Sequence, residues 1–185
     1  MGCDIHMHLE YLHPDVGGGP AYEPVIASEF YVRRYYPLFN QLAGVRGLAH
    51  DGPAFEPRGL PADVCSEIFM RYYIEVEPDD PPNDYYPLDE AETIDVKTAK
   101  AWLERDPTLT RVERLGRPFI QDADWHHASF LNLEETIATL NYSSAPGIDP
   151  APHTVPEMRV VLQFMRTLDA EFGEGASRIV FWFDN

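Results

Sequence analysis

Four ionisable side chains alternate with apolar ones in Asp4-Ile5-His6-Met7-His8-Leu9-Glu10. Successive side chains of a β-strand point to opposite faces, so a strand here lines up Asp4, His6, His8 and Glu10 and turns Cys3, Ile5, Met7 and Leu9 toward a core. Neighbouring members of the polar row then stand about 6 to 7 Å apart. Two imidazoles at that spacing can tilt onto one ion, with a carboxylate as third ligand or as acceptor for an imidazole N–H. The pattern suits a divalent metal, zinc or manganese, with His6 and His8 as ligands and Asp4 as ligand or general base. A solvated strand face that carries histidines has the same pattern.

One strand cannot surround an ion, so a metal needs donors from a distant segment. Asp122, Asp124, His126 and His127 form the second cluster, and with His6 and His8 it holds four of the seven histidines. His126 or His127 is the expected further ligand, and Asp124 shares with Asp4 the role of ligand or base. Adjacent loop histidines are also often only exposed, which is the expectation for His13, His50 and His153 beside Pro, Gly or Asp. Arg46 and Arg58 are scarce cations in an acidic chain. Each can bind a substrate phosphate or carboxylate with a two-pronged fork, or pair with one of the many acids.

Several elements must position these groups. The turn-forming run His13–Pro20 predicts a hairpin that returns over about Tyr22–Val32, with Pro24 at an edge. Pro37–Ala43 reads as a short helix ended by Gly44. Residues 44 to 61 read as a long loop, and loops of that length often carry function. Pro61 opens a predicted helix with the stripe Val64, Cys65, Ile68, Phe69 and Tyr72. Residues 77 to 92, rich in Pro and Asp, read as an exposed loop or insert. A helix is predicted from Thr93 to Arg105, and a short strand around Thr110–Leu115. Asn132-x-x-Glu135 and Thr154-x-x-Glu157 are capping boxes for two further helices. The second carries the stripe Met158, Val161, Leu162, Met165, Leu168 and Phe172 before Gly173. Arg178–Phe183 is apolar on both faces and predicts a strand inside a sheet. The fold class expected is α+β, one domain over 1–185, with a small mixed or antiparallel sheet that includes both terminal strands and packs on several helices.

Composition narrows the function. The 185 residues carry 31 acids against 14 Lys and Arg, a formal charge of −17. Direct nucleic-acid binding through a basic groove is therefore not expected. No apolar run reaches the ~20 residues that cross a bilayer, and the opening is not a basic-then-apolar leader, which together point to the cytoplasm. Cys3 and Cys65 are expected as free thiols. Phosphate-loop, nucleophile-elbow, cysteine-quartet and dinucleotide signatures are lacking.

The opening Met1-Gly2-Cys3-Asp4-Ile5-His6-Met7-His8-Leu9-Glu10 resembles a set of small uncharacterised proteins of tailed bacteriophages and some bacteria. The likeness extends to Gly44-Val45-Arg46, Arg58-Gly59-Leu60-Pro61, the histidine segment before Leu131 and the closing Arg178–Asp184. It implies a phage or prophage origin and brings no activity with it. That set has a His-Ser-His-Ser-Trp-Leu-like segment where this chain has Trp125-His126-His127-Ala128-Ser129-Phe130-Leu131. The His-x-His strand is also similar to the first strand of metal-dependent hydrolases of the amidohydrolase kind. Their (β/α)8 barrel takes ~250 residues, so only the local geometry transfers. Two functions remain open. One is a metal-dependent hydrolase of a phosphate or amide bond in a small-molecule substrate. The other is a non-catalytic phage protein that binds a host protein or sequesters a small nucleotide. The oligomeric state is not legible in either case.

Overall fold

The computed structural model describes residues 2–15, 18–47, 52–81, 85–88, 92–141 and 155–184. The fold is α+β, with five helices and two four-stranded sheets among the described residues. A single domain was expected over 1–185. Contacts group the chain into two compact units, Met1–Cys65 with His126–Asn185, and Ser66–Trp125. Each is described by itself.

The first unit is built on an antiparallel sheet of order β2-β1-β8-β7, with β1 Ile5–His13, β2 Ala21–Pro24, β7 His126–Asn132 and β8 Ser177–Phe183. The alternation in β1 acts as its spacing demands. Cys3, Ile5, Met7 and Leu9 are buried in a core with Ile179, Phe181 and Phe183 of β8. Three helices complete that core: α1 Tyr36–Ala43 through Leu38, Phe39 and Leu42, α4 Leu133–Asn141 through Leu140, and α5 Pro156–Phe172 through Met158, Val161 and Met165. All seven residues of β8 are buried, which is why its stretch Ile179–Phe183 is apolar on both faces.

Local chemistry accounts for the helix ends. Gly44 closes α1 at φ 70, a left-handed cap that only glycine adopts without steric cost. The capping box of α4 forms reciprocally: Glu135 N–H donates to Asn132 Oδ1 at 2.9 Å and Asn132 N–H to Glu135 Oε2 at 3.1 Å. For α5 the residue before the helix is Val155, and the Thr154 of the expected box lies outside the described residues. Gly173 has a positive φ of 111 with ψ 157, so it ends α5 without the left-handed cap.

The return strand is shorter than the sequence suggests. After Pro24 the backbone bends away from regular pairing, yet Val25 and Phe30 still donate to the Leu9 and Met7 carbonyls of β1. The polar face of β1 is covered rather than solvated. His8 is 4% exposed and Glu10 fully buried. Glu10 accepts from Arg178 Nε at 2.6 Å and from the Cys65 N–H at 3.0 Å, and Arg178 also reaches Asp63 at 2.9 Å. The Arg178 guanidinium lies 3.4 Å from the Tyr22 ring centroid. A buried carboxylate is tolerable only with such pairing.

The second unit has a mixed sheet of order β4-β3-β6-β5 and two helices: α2 Ser66–Tyr72, β3 Tyr73–Glu77, β4 Thr93–Asp95, α3 Val96–Arg105, β5 Arg111–Arg114 and β6 Arg117–Gln121. Two expectations are corrected here. The helix expected from Pro61 begins at Ser66, because Pro61–Val64 forms a hydrogen-bonded turn, and it gives way at Tyr73 to a strand of aromatic and β-branched residues. The helix expected from Thr93 begins at Val96, since Thr93–Asp95 pairs in parallel with β3 and Asp95, not Thr93, caps the helix through Thr98 N–H at 2.6 Å.

Within 77–92, Pro78–Pro81 is exposed and irregular, but Tyr85 and Leu88 are anchored. The buried Glu75 carboxylate accepts from Tyr85 Oη at 2.5 Å, Leu88 N–H at 3.0 Å and Arg117 at 2.8 Å. Burial alone would raise the Glu75 pKa, and these three donors reverse the sign and hold it below the ordinary glutamate value. A depressed native pKa stabilises the fold above the unfolded value near 4.5, and that contribution is lost as pH falls through the native value. Glu75→Gln should therefore start less stable at pH 7 and lose less on acidification to pH 4 than wild type, as read by urea midpoints. Parallel losses in both proteins would contradict this.

Candidate active site

β8 pairs with β1 on one side and β7 on the other, and the registers Ile5↔Phe183 and His126↔Phe183 align the start of β1, the end of β8 and the start of β7. Residues more than 100 apart in the chain thus meet at one end of the sheet. Asp184, the residue after β8, is the junction. Its N–H donates to the Asp4 carbonyl at 3.2 Å, and its carboxylate Oδ1 accepts from the Asp4 N–H at 2.6 Å. Its Oδ2 lies 3.5 Å from His6 Nε2, and its carbonyl lies 3.1 Å from His126 Nε2.

His6 stands between two carboxylates. Nδ1 is 2.8 Å from Glu29 Oε2, so it carries a proton and donates to that carboxylate. Nε2 faces the carboxylate of Asp184. Trp182 stacks near-parallel to the His6 ring at 6.0 Å and to His8 at 5.0 Å, which fixes both imidazoles on the sheet face.

His126 and His127 meet through their Nδ1 atoms at 2.7 Å. A carbonyl can only accept, so His126 Nε2 carries the proton that points to Asp184 and its Nδ1 accepts from His127 Nδ1–H. Burial lowers the pKa of both imidazoles, with the Asp184 carbonyl and carboxylate opposing the shift at His126. Both are neutral near pH 7, as ligand or acceptor chemistry requires. The β7–β8 register slips between His126 and Ser129, and His127 takes φ 52 there. A bulge with a non-glycine residue in the left-handed region re-aims a side chain at a cost of about 1–2 kcal/mol.

Two arginines border this end. Arg34 grips Asp4 with a fork, Nε to Oδ1 at 2.9 Å and Nη2 to Oδ2 at 2.5 Å, and that hydrogen bonding holds the Asp4 carboxyl below the usual range. Arg46 hydrogen-bonds the Cys3 thiol, and its positive charge contributes to lowering the His126 pKa. Burial nonetheless raises the Cys3 pKa, so the thiol stays protonated. Arg46 follows the Gly44 cap with φ 60. The turn is held tight on α1, because a Cβ at Gly47 would overlap the Asn40 side-chain amide.

The sequence-derived candidates therefore divide. Asp4, His6, His126, His127 and Arg46 share the sheet end. His8 lies one pair further in, buried on Trp182. Arg58 is committed elsewhere, to Glu135 at 2.8 and 2.9 Å and to the Phe130 carbonyl. Asp124 belongs to the second unit, where its N–H donates to Asp122. His50 and His153 lie outside the described residues. Sequence reasoning did not single out Asp184, Glu29 or Arg34. Asp184 had one signal, its place directly after an interior strand, where a side chain emerges at a sheet end.

No family model, curated protein or solved structure matches the chain. No helix among the described residues is long and apolar enough to cross a membrane.

The strain at residue 127 can be measured. His127→Gly should be more stable to urea than His127→Ala by about 1 kcal/mol, because glycine alone accepts φ 52 freely. An alanine variant of equal or greater stability would contradict the bulge geometry.

Proposed function

We propose that this protein is a phage or prophage hydrolase of phosphate or amide bonds, acting with a divalent zinc or manganese ion at the sheet end around His6 and Asp184. The observation that carries the proposal is the His6 pair of contacts. Glu29 accepts from Nδ1 at 2.8 Å, and Nε2 faces a carboxylate oxygen of Asp184 at 3.5 Å. Two acceptors facing each other repel unless a cation or proton lies between them. Ligands about 2.1 Å from one ion at a tetrahedral angle stand about 3.4 Å apart, which the 3.5 Å gap matches. A carboxylate on the far nitrogen of a ligating histidine is also the usual outer-shell arrangement.

Among the described residues no group of three or more His, Cys, Asp or Glu side chains converges as a metal cage. An ion held by His6 and Asp184 would need water and substrate to complete its coordination. The ion would supply a water of lowered pKa and a polarised substrate oxygen. Asp184 bridges the site through four atoms, its N–H, both carboxylate oxygens and its carbonyl, and touches both His6 and His126. In the His126–His127 pair both nitrogens of His126 are engaged, which leaves His127 Nε2 as the acceptor for a proton or a further metal bond. The phage origin rests on the resemblance of the opening and closing motifs.

Metal content of tag-free protein, measured by mass spectrometry after incubation with zinc or manganese and desalting, tests this directly. One ion per chain is expected for wild type and for His13→Ala, and less than a tenth of that for His6→Ala combined with Asp184→Asn. Undiminished metal in the double variant contradicts the site. Turnover of chromogenic phosphoesters or amides that follows the metal content supports hydrolysis.

A further inference from the structure

We infer that the outer face of α5 is a pairing surface for a second copy of this chain, with α5 of one copy packed parallel to α5 of the other. None of the residues on this face belongs to the sheet-end site, and the pairing does not depend on a metal.

A helix that packs only on its own core needs one apolar stripe. In α5 that stripe is Met158, Val161, Leu162, Met165 and Leu168, all in or against the core of the first unit. The opposite face follows a second rule. Pro156, Val160, Gln163, Thr167 and Ala170 recur at spacings of four, three, four and three, which is the seven-residue repeat of a coiled-coil seam, and all five are exposed. Val160 is 52% exposed and Phe164 beside it 43%. An apolar groove runs past Val160, Gln163, Phe164 and Thr167. Val160 and Thr167 share one position of the repeat, where β-branched side chains favour two-stranded parallel pairing. The chain has 31 acidic residues and the seam has none, which lowers the repulsion between two like-charged copies there.

The flanks of the seam are complementary to each other. Arg159 and Arg166 line one flank, and Phe164 and Glu171 the other, all exposed. Among the described residues Arg159, Arg166 and Glu171 take part in no ion pair. Their own helix offers none, because the one acid three or four residues from either arginine is Asp169, which is spent on Ser177 and Gly175. In a parallel pair each flank faces the opposite flank of the other helix, about five residues further on. That sets Arg166 against Glu171 of the second copy and Arg159 over its Phe164 ring. Antiparallel packing brings like flanks together and opposes Arg159 to Arg166. The Phe164 flank is held from within, since Arg33 binds Glu157 at 2.8 Å and Phe30 packs edge-on against Phe164 at 5.8 Å.

Sedimentation equilibrium of the full chain, at concentrations up to about 1 mM, reads the pairing. Wild type should associate reversibly to twice its 21.1 kDa. Arg166→Glu and Glu171→Arg should each weaken the dimer about tenfold, because each turns two attractions per dimer into two repulsions. The combined variant exchanges the signs and should return to within about threefold of wild type, a rescue that a damaged fold would not show. Val160→Glu sets two carboxylates face to face in the seam and should be monomeric with unchanged circular dichroism. Orientation is read with Ala170→Cys and a short bis-maleimide. Parallel pairing brings the two thiols together for cross-linking, whereas antiparallel pairing holds them roughly 20 Å apart. Cys3 and Cys65 are buried, so wild type is the control. A monomeric wild type overturns the pairing, whatever else this face binds. A dimer indifferent to Val160→Glu, a combined variant no tighter than the single ones, or Ala170→Cys dimers that do not cross-link overturn it equally.

Discussion

The pairing of β8 between β1 and β7 is the constraint on which the rest depends. Because side chains alternate with a period of two, a slip of one residue in either register would exchange the faces of a whole strand. With Ile5 opposite Phe183, the apolar residues of β1 and β8 share one core face, and His6 lies beside Trp182 on the other. The same alignment sets Asp184 beside Asp4 and His6. Burial of β8 on both faces makes this register costly to change, so the geometry of the site is inherited from the stability of the sheet.

The covered polar face follows from the same constraint. The inner half of that face neutralises itself through Glu10, Arg178 and Asp63, with Tyr22 under the guanidinium. The outer half has a different balance: His6 is flanked by acids on both ring nitrogens, and Arg34 and Arg46 supply the nearby positive charge. One strand thus carries a buried ion pair at one end of its polar row and an imidazole set between two carboxylates at the other. Removing a partner from the buried pair would leave an uncompensated charge. Removing His6 would change the site while leaving the core contacts of Ile5, Met7 and Leu9 in place.

Much of the fold was legible in the sequence where one local signal dominated. The strict alternation of β1, the doubly apolar β8, the Pro and Gly ends of α1, the Asn132–Glu135 box and the α5 stripe each correspond to an element observed. The strands β3, β4, β6 and β7 were not legible. Tyr73–Glu77 continues the spacing of α2, Thr93–Asp95 resembles a helix start, and Arg117–Gln121 and His126–Asn132 are too short and mixed to declare a period. Their pairing is decided by tertiary partners. The same limit applies to the site. His6 and His126 carry chemical signatures of their own, whereas the roles of Asp184 and Glu29 exist only once the sheet and the 25–35 segment bring them to an imidazole.

The protonation state of His6 tests the central claim most directly. Long-range proton–nitrogen correlation spectra of the imidazole at neutral pH report which ring nitrogen carries hydrogen. The expected spectrum shows Nδ1–H and an Nε2 whose resonance moves on addition of zinc, and does not move in Asp184→Asn. A His6 ring protonated at both nitrogens, bridging Glu29 and Asp184 and indifferent to zinc, would make the arrangement a structural ion pair and contradict the metal site.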